Sequence, residues 1–186
     1  MNTFSKIMAL FFATFMMVYF VGYQNYKKLE DLAYIQVNTA TVNFVDSVRQ
    51  KGYISPKMYQ EFEIAIHTGS EVLYEIEMEH YQKTYNPVYT NPADKNTFTG
   101  EYTVDYEGYY KDQIADVLFN NTTLPIDERQ YKLQKDDLFS VTVTNKTKFK
   151  STMMLNILTF GYAGEEKVIY FPYGGAVLNE DWNERR

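Results

Sequence analysis

Ile7–Tyr23 reads IMALFFATFMMVYFVGY, a run of 17 residues without a charged side chain. As an α-helix this run is roughly 25 Å long, slightly less than the hydrocarbon core of a bilayer. Phe4, Tyr23 and Tyr26 flank it, and aromatic side chains are enriched at the headgroup level of membranes. The run therefore predicts a transmembrane helix in contact with the lipid bilayer. The predicted anchor side chains are Ile7, Leu10, Phe11, Phe12, Phe15, Met16, Val18, Phe20 and Val21.

Two other interpretations of this segment stay open. A cleaved signal peptide has a hydrophobic region of similar length, but residues 20–23 (FVGY) lack the Ala-x-Ala pattern of a cleavage site. A buried core helix is the second alternative. Lys6 precedes the segment while Lys27 and Lys28 follow it, so the charge bias determines the orientation only weakly. Because the remaining chain is acidic and free of cysteine, we expect the N-terminus inside the cell and the C-terminal domain outside.

A helical pattern continues directly from the apolar run. No Pro or Gly occurs between Tyr23 and Gly52, and apolar residues recur at steps of three and four, which places them on one helix face. Gly52 is suited to cap the C-terminus of this helix. The apolar face either packs on the chain's own domain or contacts neighbouring subunits. The predicted subunit interface consists of Tyr26, Leu29, Ala33, Val37 and Ala40.

The chain beyond Gly52 predicts a small mixed domain. Alternating apolar and polar residues predict strands at Glu71–Gln82, Leu138–Thr144 and Lys167–Tyr173. Short helices are expected at about 56–69, 109–119 and 151–160, an irregular surface loop at 83–100, and a turn or bulge at Gly174–Gly175. We predict an α+β, pilin-like fold in which a long transmembrane-plus-stalk helix packs on a small antiparallel sheet with short helices. The predicted parts are a cytoplasmic stub (1–6), a transmembrane helix (7–23), a stalk helix (24–51) and an extracytoplasmic domain (52–186).

The sequence offers little chemistry. The net charge of −6 disfavours nucleic acid as a partner, and the lack of cysteine excludes disulfides and thiol catalysis. Three acidic residues alternate on one strand, and an Asn/Asp-rich loop follows it, but neither has the spacing of a calcium loop. The two histidines lack HExxH spacing, and no nucleophile elbow, P-loop or GxGxxG occurs. We therefore expect no catalytic residue, metal or cofactor. The residues weighed were Glu75, Glu77, Glu79, Asn91, Asp94, Asn96, His67 and His80.

Several segments together resemble the small, single-pass, pilin-like (TadE-like or pseudopilin-like) proteins of Tad-type pilus or secretion machinery in Gram-positive bacteria. The resemblance extends over most of the chain from Phe44 onward. The segments are Val45–Phe62 (VDSVRQKGYISPKMYQEF), Thr68-Gly69, Tyr74–His80 (YEIEMEH), Asp137–Asn145 (DLFSVTVTN) and Tyr173–Glu180 (YGGAVLNE).

The resemblance implies a structural or assembly subunit, a minor pilin or pseudopilin, of a Tad-type pilus or type II-like secretion machine. Its partners would be other pilin-like subunits, in a homo-oligomer or filament, and a membrane assembly platform. Typical pilins carry a Gly or Ala cleavage site and a Glu at the fifth mature position, whereas Met1–Tyr23 contains no acidic residue. Polymerisation and permanent anchoring as an assembly factor therefore both stay open. The alternative function is a membrane-tethered extracytoplasmic binding module, an adhesin or sensor, that uses the loop at 83–106.

Overall fold

The computed structural model describes residues 3–69, 72–120, 123–161 and 168–183. Its longest element is helix α1 (Thr3–Lys51), which joins the apolar run and the stalk in one helix of 49 residues. At 1.5 Å per residue, α1 is about 74 Å long. It ends where Gly52 adopts a left-handed conformation, with φ of +70°, and donates its N–H to the Val48 carbonyl at 2.7 Å. The predicted continuous helix and its glycine cap are confirmed.

The remaining elements are short by comparison. The other helices are α2 (Pro56–His67), α3 (Lys111–Ala115, followed by a π-helical turn at Asp116–Asn120) and α4 (Lys150–Leu158). The strands are β1 (Tyr53–Ile54), β2 (Tyr74–Tyr89), β3 (Phe98–Tyr110), β4 (Tyr131–Lys132), β5 (Leu138–Asn145) and β6 (Tyr170–Ala176). Single 3-10 turns lie at Lys95–Thr97, Ile126–Glu128 and Asp181–Asn183.

The main sheet has the strand order β3-β2-β5-β6, and every neighbouring pair is antiparallel. Met78 of β2 lies opposite Val141 of β5, which in turn lies opposite Tyr173 of β6. Alternation along β2 and β5 therefore places one set of side chains on a single face of the sheet. That set is buried and consists of Tyr74, Ile76, Met78, His80, Phe139, Val141 and Val143. The two-residue strands β1 and β4 pair separately.

Helix α1 packs on this buried sheet face. Val37, Val45 and Val48 are completely buried, and Phe44 reaches both neighbouring layers. The Phe44 ring stacks on Phe62 of α2 with 4.5 Å between the ring centroids, and its other contact is edge-on to Phe139 of β5. The core is thus formed where the stalk half of α1 crosses the sheet. The predicted α+β class, a long helix on a small antiparallel sheet with short helices, is confirmed.

The prediction of an irregular loop at 83–100 is wrong. Strand β2 continues to Tyr89, and β3 pairs with it in register, for example Lys83 opposite Tyr106 and Pro87 opposite Tyr102. Pro87 misled the prediction because it cannot donate to a sheet ladder. Here it is tolerated, since β2 pairs with β5 only as far as Tyr81 and its outer part has one unpaired edge. Only the short connection between β2 and β3 is irregular.

Strand β3 was missed altogether by the sequence patterns. Its residues are exposed from Phe98 to Glu107, so it has no buried side to generate an apolar alternation. The helix predicted at about 109–119 starts two residues late, because Tyr109 and Tyr110 still belong to β3 and pair with His80 and Glu79. Strand formation here depends on hydrogen bonding to β2, which local sequence does not reveal.

The turn or bulge predicted at Gly174–Gly175 is also wrong. Both glycines lie within β6, opposite Ser140 and Phe139. A Cβ on Gly175 would lie 2.8 Å from Cζ of Arg49, whose side chain extends from α1 and donates to the Ala176 carbonyl at 2.9 Å. Gly175 therefore permits the close approach of α1 to the sheet, whereas a Cβ on Gly174 would lie 2.5 Å from Cβ of Ser140 on β5. The predicted strand start at Lys167 lies outside the described residues.

Gly52→Ala tests the junction between α1 and the domain. A Cβ there would lie 2.1 Å from the Asn179 carbonyl oxygen, in addition to the left-handed strain. Gly100 has the same sign of φ, +84°, but no heavy atom within 4 Å of the added Cβ. We expect Gly100→Ala to lower the free energy of unfolding by about 1–2 kcal/mol and Gly52→Ala by about 1–3 kcal/mol more. Denaturant unfolding in detergent measures both, and equal losses would contradict the close approach.

Candidate functional site

The N-terminal half of α1 is a candidate for contact with lipid. All nine predicted anchor side chains are exposed, and among the described residues α1 is the helix long and apolar enough to cross a membrane. From Thr3 to Tyr23 it measures about 31 Å, which matches a hydrocarbon core of about 30 Å. A long apolar N-terminal helix that could act as a membrane anchor is thus present. The orientation and the cell-surface location stay predictions.

The structure separates the five predicted interface residues. Ala33 and Val37 are buried in the chain's own core, and Ala40 is half-buried against it. Tyr26 is half-buried at the junction with α4, and Leu29 is exposed. The apolar stripe read from the sequence is therefore mainly the face that packs on the sheet. Of these residues, Leu29 is the one whose side chain is largely free to meet another molecule.

A second apolar surface on the stalk begins at the flank of the buried face and extends to the opposite side of the helix. Leu29, Leu32 and Ile35 are 55%, 61% and 60% exposed, and we call them the exposed stalk face. At 100° per residue, Leu32 and Ile35 point away from the buried Val37 and Val48. Sequence reasoning included Leu29 in the predicted interface but missed Leu32 and Ile35, because polar residues interleave with them. The signal that could have found it is the presence of Leu and Ile outside the buried stripe in a water-exposed helix.

Helix α4 lies beside the anchor half of α1. The Tyr19 hydroxyl donates to the backbone carbonyl of Met154, and the Met154 side chain lies next to Gly22. Further along, the two helices line an open apolar groove of about 630 Å³. Its lining residues include Ala13, Met16, Met17, Phe20, Leu155 and Leu158. The apolar segment of α1 is consequently covered on one side by a short helix of its own chain.

A buried carboxylate fixes α4 to α1 at the domain end of this contact. Glu30 is 7% exposed, bonds the Lys27 ammonium at 2.7 Å and accepts a hydrogen bond from the Ser151 hydroxyl. The Lys150 ammonium lies 5.7 Å from the centroid of the Tyr26 ring, within the range of a cation–π contact. An isolated buried charge would be costly, so these partners are needed to hold the carboxylate there.

His80 belongs to a buried polar network rather than to an open site. Its Nε2 lies 2.9 Å from the Asp137 carboxylate, and its Nδ1 lies 2.7 Å from the Tyr131 hydroxyl. Burial raises the pKa of Tyr131, and nearby Tyr109 and Asp137 add to the shift, so the hydroxyl keeps its proton. All three side chains are buried, and Asp137 also accepts from the Lys83 and Gln134 amides. The network ties β2, β4 and the β5 entrance together.

The acidic residues weighed as cation ligands have local roles. Glu75 pairs with Lys146 at 2.9 Å, and Glu79 accepts from the Tyr81 hydroxyl. Asn91 and Asp94 accept hydrogen bonds from backbone amides two residues onward, which shapes the β2–β3 connection. Within the described ranges, no group of three His, Cys, Asp or Glu side chains could hold a metal ion.

The outer part of β2 and β3 forms a two-stranded arm with unequal faces. Beyond Tyr81, β2 has lost β5 as a neighbour, so the arm projects from the sheet. Paired residues share a face, and one face is largely apolar while the other carries Thr84, Asn86, Thr103 and Asp105. We call the apolar side the aromatic arm face. It consists of Tyr85, Pro87, Tyr102, Val104 and Tyr106, all exposed.

Comparisons with known proteins do not extend this description: no family model, no curated protein and no solved structure matches the chain. The geometry of the described residues therefore carries the functional argument.

Tyr131→Phe tests the buried network through its pH dependence. The ordinary tyrosine pKa is 10.0, and the folded protein holds the Tyr131 proton more tightly. Above pH 10 the unfolded chain loses this proton first, so the free energy of unfolding falls as the pH rises, by up to about 1.4 kcal/mol per pH unit for one such group. The free energy of unfolding of the variant should be lower by about 1 kcal/mol at pH 7. Above pH 10 it should fall less steeply with pH than that of the wild type. The exposed Tyr102→Phe serves as the control, and parallel slopes for all three proteins would refute the assignment.

Proposed function

We propose that the protein is a membrane-anchored structural or assembly subunit that packs against neighbouring helices through the exposed stalk face. The observation that carries this proposal is the position of Leu29, Leu32 and Ile35. All three lie beyond the apolar anchor on the water-exposed stalk, where Leu32 and Ile35 point away from the chain's own domain and Leu29 lies at the flank of the buried face. Large apolar side chains grouped in this way on an exposed helix favour a helix–helix contact.

The energetic argument favours the stalk as the source of affinity. Fully burying a Leu or Ile side chain contributes about 1.5–3 kcal/mol in water, so covering three half-exposed ones contributes a few kcal/mol. Val18 and Val21 extend the same side of α1 into the anchor and are also exposed. Within lipid, apolar side chains gain nothing from the hydrophobic effect on association. A neighbouring helix would thus be held by the stalk contact and aligned by the anchor.

The finer assignment follows the family resemblance. In this proposal the subunit works in a Tad-type pilus or type II-like secretion machine, with sister pilin-like subunits and a membrane assembly platform as partners. The N-terminus lies inside the cell and the domain outside. The role is structural rather than enzymatic, which agrees with the burial of the one His–Asp–Tyr network in the described chain.

Leu32→Glu combined with Ile35→Glu tests the exposed stalk face. The double variant should fold with an unchanged melting temperature, because both side chains point to solvent, but it should no longer co-purify with differently tagged wild-type copies or sister subunits from detergent-solubilised membranes. Ile64→Glu on α2, where the side chain is 67% exposed, is the matched control and should co-purify normally. Undiminished recovery of the double variant would overturn the proposed contact.

A second candidate function is supported by the aromatic arm face. In this second proposal, the protein is a membrane-tethered binding module that uses this surface to bind an extracytoplasmic ligand such as the cell wall. Tyrosine rings offer apolar area at low cost in conformational entropy and keep a hydroxyl available for hydrogen bonds. The arm is the part of the predicted 83–106 loop that the structure shows to be a strand pair.

Tyr102→Ser combined with Tyr106→Ser tests this second function. Retention of the full chain, in detergent, on insoluble cell-wall glycan should fall to the level of a bare resin. The control substitutes Thr103→Ser and Asp105→Asn on the polar face of the same strand and should retain wild-type binding. Absence of wild-type retention, or equal retention by both variants, would exclude the arm as a wall-binding surface.

A further inference from the structure

The sequence of α4 is unusual for a helix at the surface of a water-exposed domain. From Phe149 to Gly161 the chain reads FKSTMMLNILTFG, in which Lys150 at the start is the one charged residue. The side of α4 that faces away from α1 is also apolar. Ile157 is 74% exposed and Phe160 is 93% exposed, and Met153 is exposed on the same side. A helix that is apolar on both sides is typical of a nonpolar environment.

The position of α4 along α1 fixes its depth. The groove between the two helices reaches Ala13 and Met16, within the apolar run. The part of α1 before the groove, Thr3–Phe12, measures about 15 Å, half of a hydrocarbon core, whereas Thr3–Tyr23 measures about 31 Å. A bilayer that α1 spans must therefore surround the level at which Leu155 and Leu158 lie.

Polar groups at the two ends of α4 agree with this depth. At the domain end, Lys150 lies at the level of Tyr26 on α1, where Tyr and Lys side chains suit the headgroup region. At the other end, the Thr159 amide and hydroxyl both bond the Leu155 carbonyl, and Gly161 bonds Asn156. These backbone groups are satisfied within the chain, as a nonpolar solvent requires.

We infer that α4 is a second membrane element, which inserts Ile157 and Phe160 among the acyl chains of the leaflet on the domain side and places its first residue, Lys150, at the headgroup level beside Tyr26. This inference rests on the proposed anchoring of α1. Interfacial helices bury their apolar side about 5–10 Å into the headgroup and acyl boundary, which matches the distance of about 10 Å along α1 from Tyr23 to Met16. The domain then contacts the membrane through both α1 and α4. These two contacts restrict its rotation about the axis of α1.

Single-cysteine fluorescence can test this depth, because the chain has no native cysteine. Full-length Ile157→Cys and Phe160→Cys are labelled with an environment-sensitive nitrobenzoxadiazole dye and reconstituted in vesicles of phosphatidylcholine and phosphatidylglycerol. Labelled Val18→Cys is the reference for a dye in lipid, because position 18 lies in the anchor. Labelled Ile64→Cys, at an exposed site of α2, is the reference for a dye in water. Quenching is measured with acyl-chain nitroxide lipids and with iodide present on both sides of the membrane.

The dyes at 157 and 160 should lose emission to the nitroxide lipids as the dye at 18 does, and should resist iodide, which quenches the dye at 64. If the dye at position 18 is quenched by the nitroxide lipids while the dyes at positions 157 and 160 are quenched by iodide, the inference about α4 is wrong and the proposed anchoring of α1 is retained. If 18 itself is quenched by iodide, the proposed anchoring fails. Dyes at 157 and 160 that resist both quenchers would indicate a protein partner and would also overturn the inference.

Discussion

The packing of one face of α1 on the sheet, between Ala33 and Val48, is the contact on which the rest of the molecule depends. Val37, Val45 and Val48 are completely buried there, and side chains of this size stabilise by about 1.5–3 kcal/mol each when they leave water. The contact also sets the rotation of α1 about its own axis. Because a helix is rigid over this length, the same rotation decides that Leu32 and Ile35 face outward and that Tyr19 and Gly22 face α4.

A buried carboxylate marks the boundary between the two halves of α1. Glu30 sits where the apolar groove ends and the domain core begins, and its bonds to Lys27 and Ser151 join α1 to α4. Removing one partner of a buried charge is far more costly than forming the pair is favourable. This arrangement therefore contributes more to the position of α4 than to overall stability. It holds the start of the short helix against α1, from which α4 runs beside the anchor in the opposite chain direction.

The two faces and the edges of the sheet differ in how far the rest of the chain covers them. One face is covered by α1, while edge strand β3 is open along the arm and carries Glu101, Asp105 and Glu107. Charged side chains on an edge strand oppose pairing with another chain. The aromatic arm face carries Lys83, whose ammonium lies 5.0 Å from the centroid of the Tyr85 ring, but none of these acidic residues. The arm therefore discourages edge-to-edge association and still offers aromatic side chains to a ligand. The His80 network anchors the base of this arm, since Asp137 accepts the Lys83 amide where β2 leaves β5.

Sequence alone sufficed for the elements with a regular pattern. The stalk stripe with its Gly52 cap and strands β2 and β5 each carry a period that reflects one buried side, and the apolar run is recognised by its length and lack of charge. Tertiary structure decided the rest, because those features depend on contacts between distant residues. Strand β3 exists through pairing with β2, strand β6 contains Gly175 where the Arg49 side chain passes over it, and the exposed stalk face is defined by what the domain leaves uncovered. Periodicity records which side of an element is buried, whereas only the assembled fold reveals what buries it and what stays free.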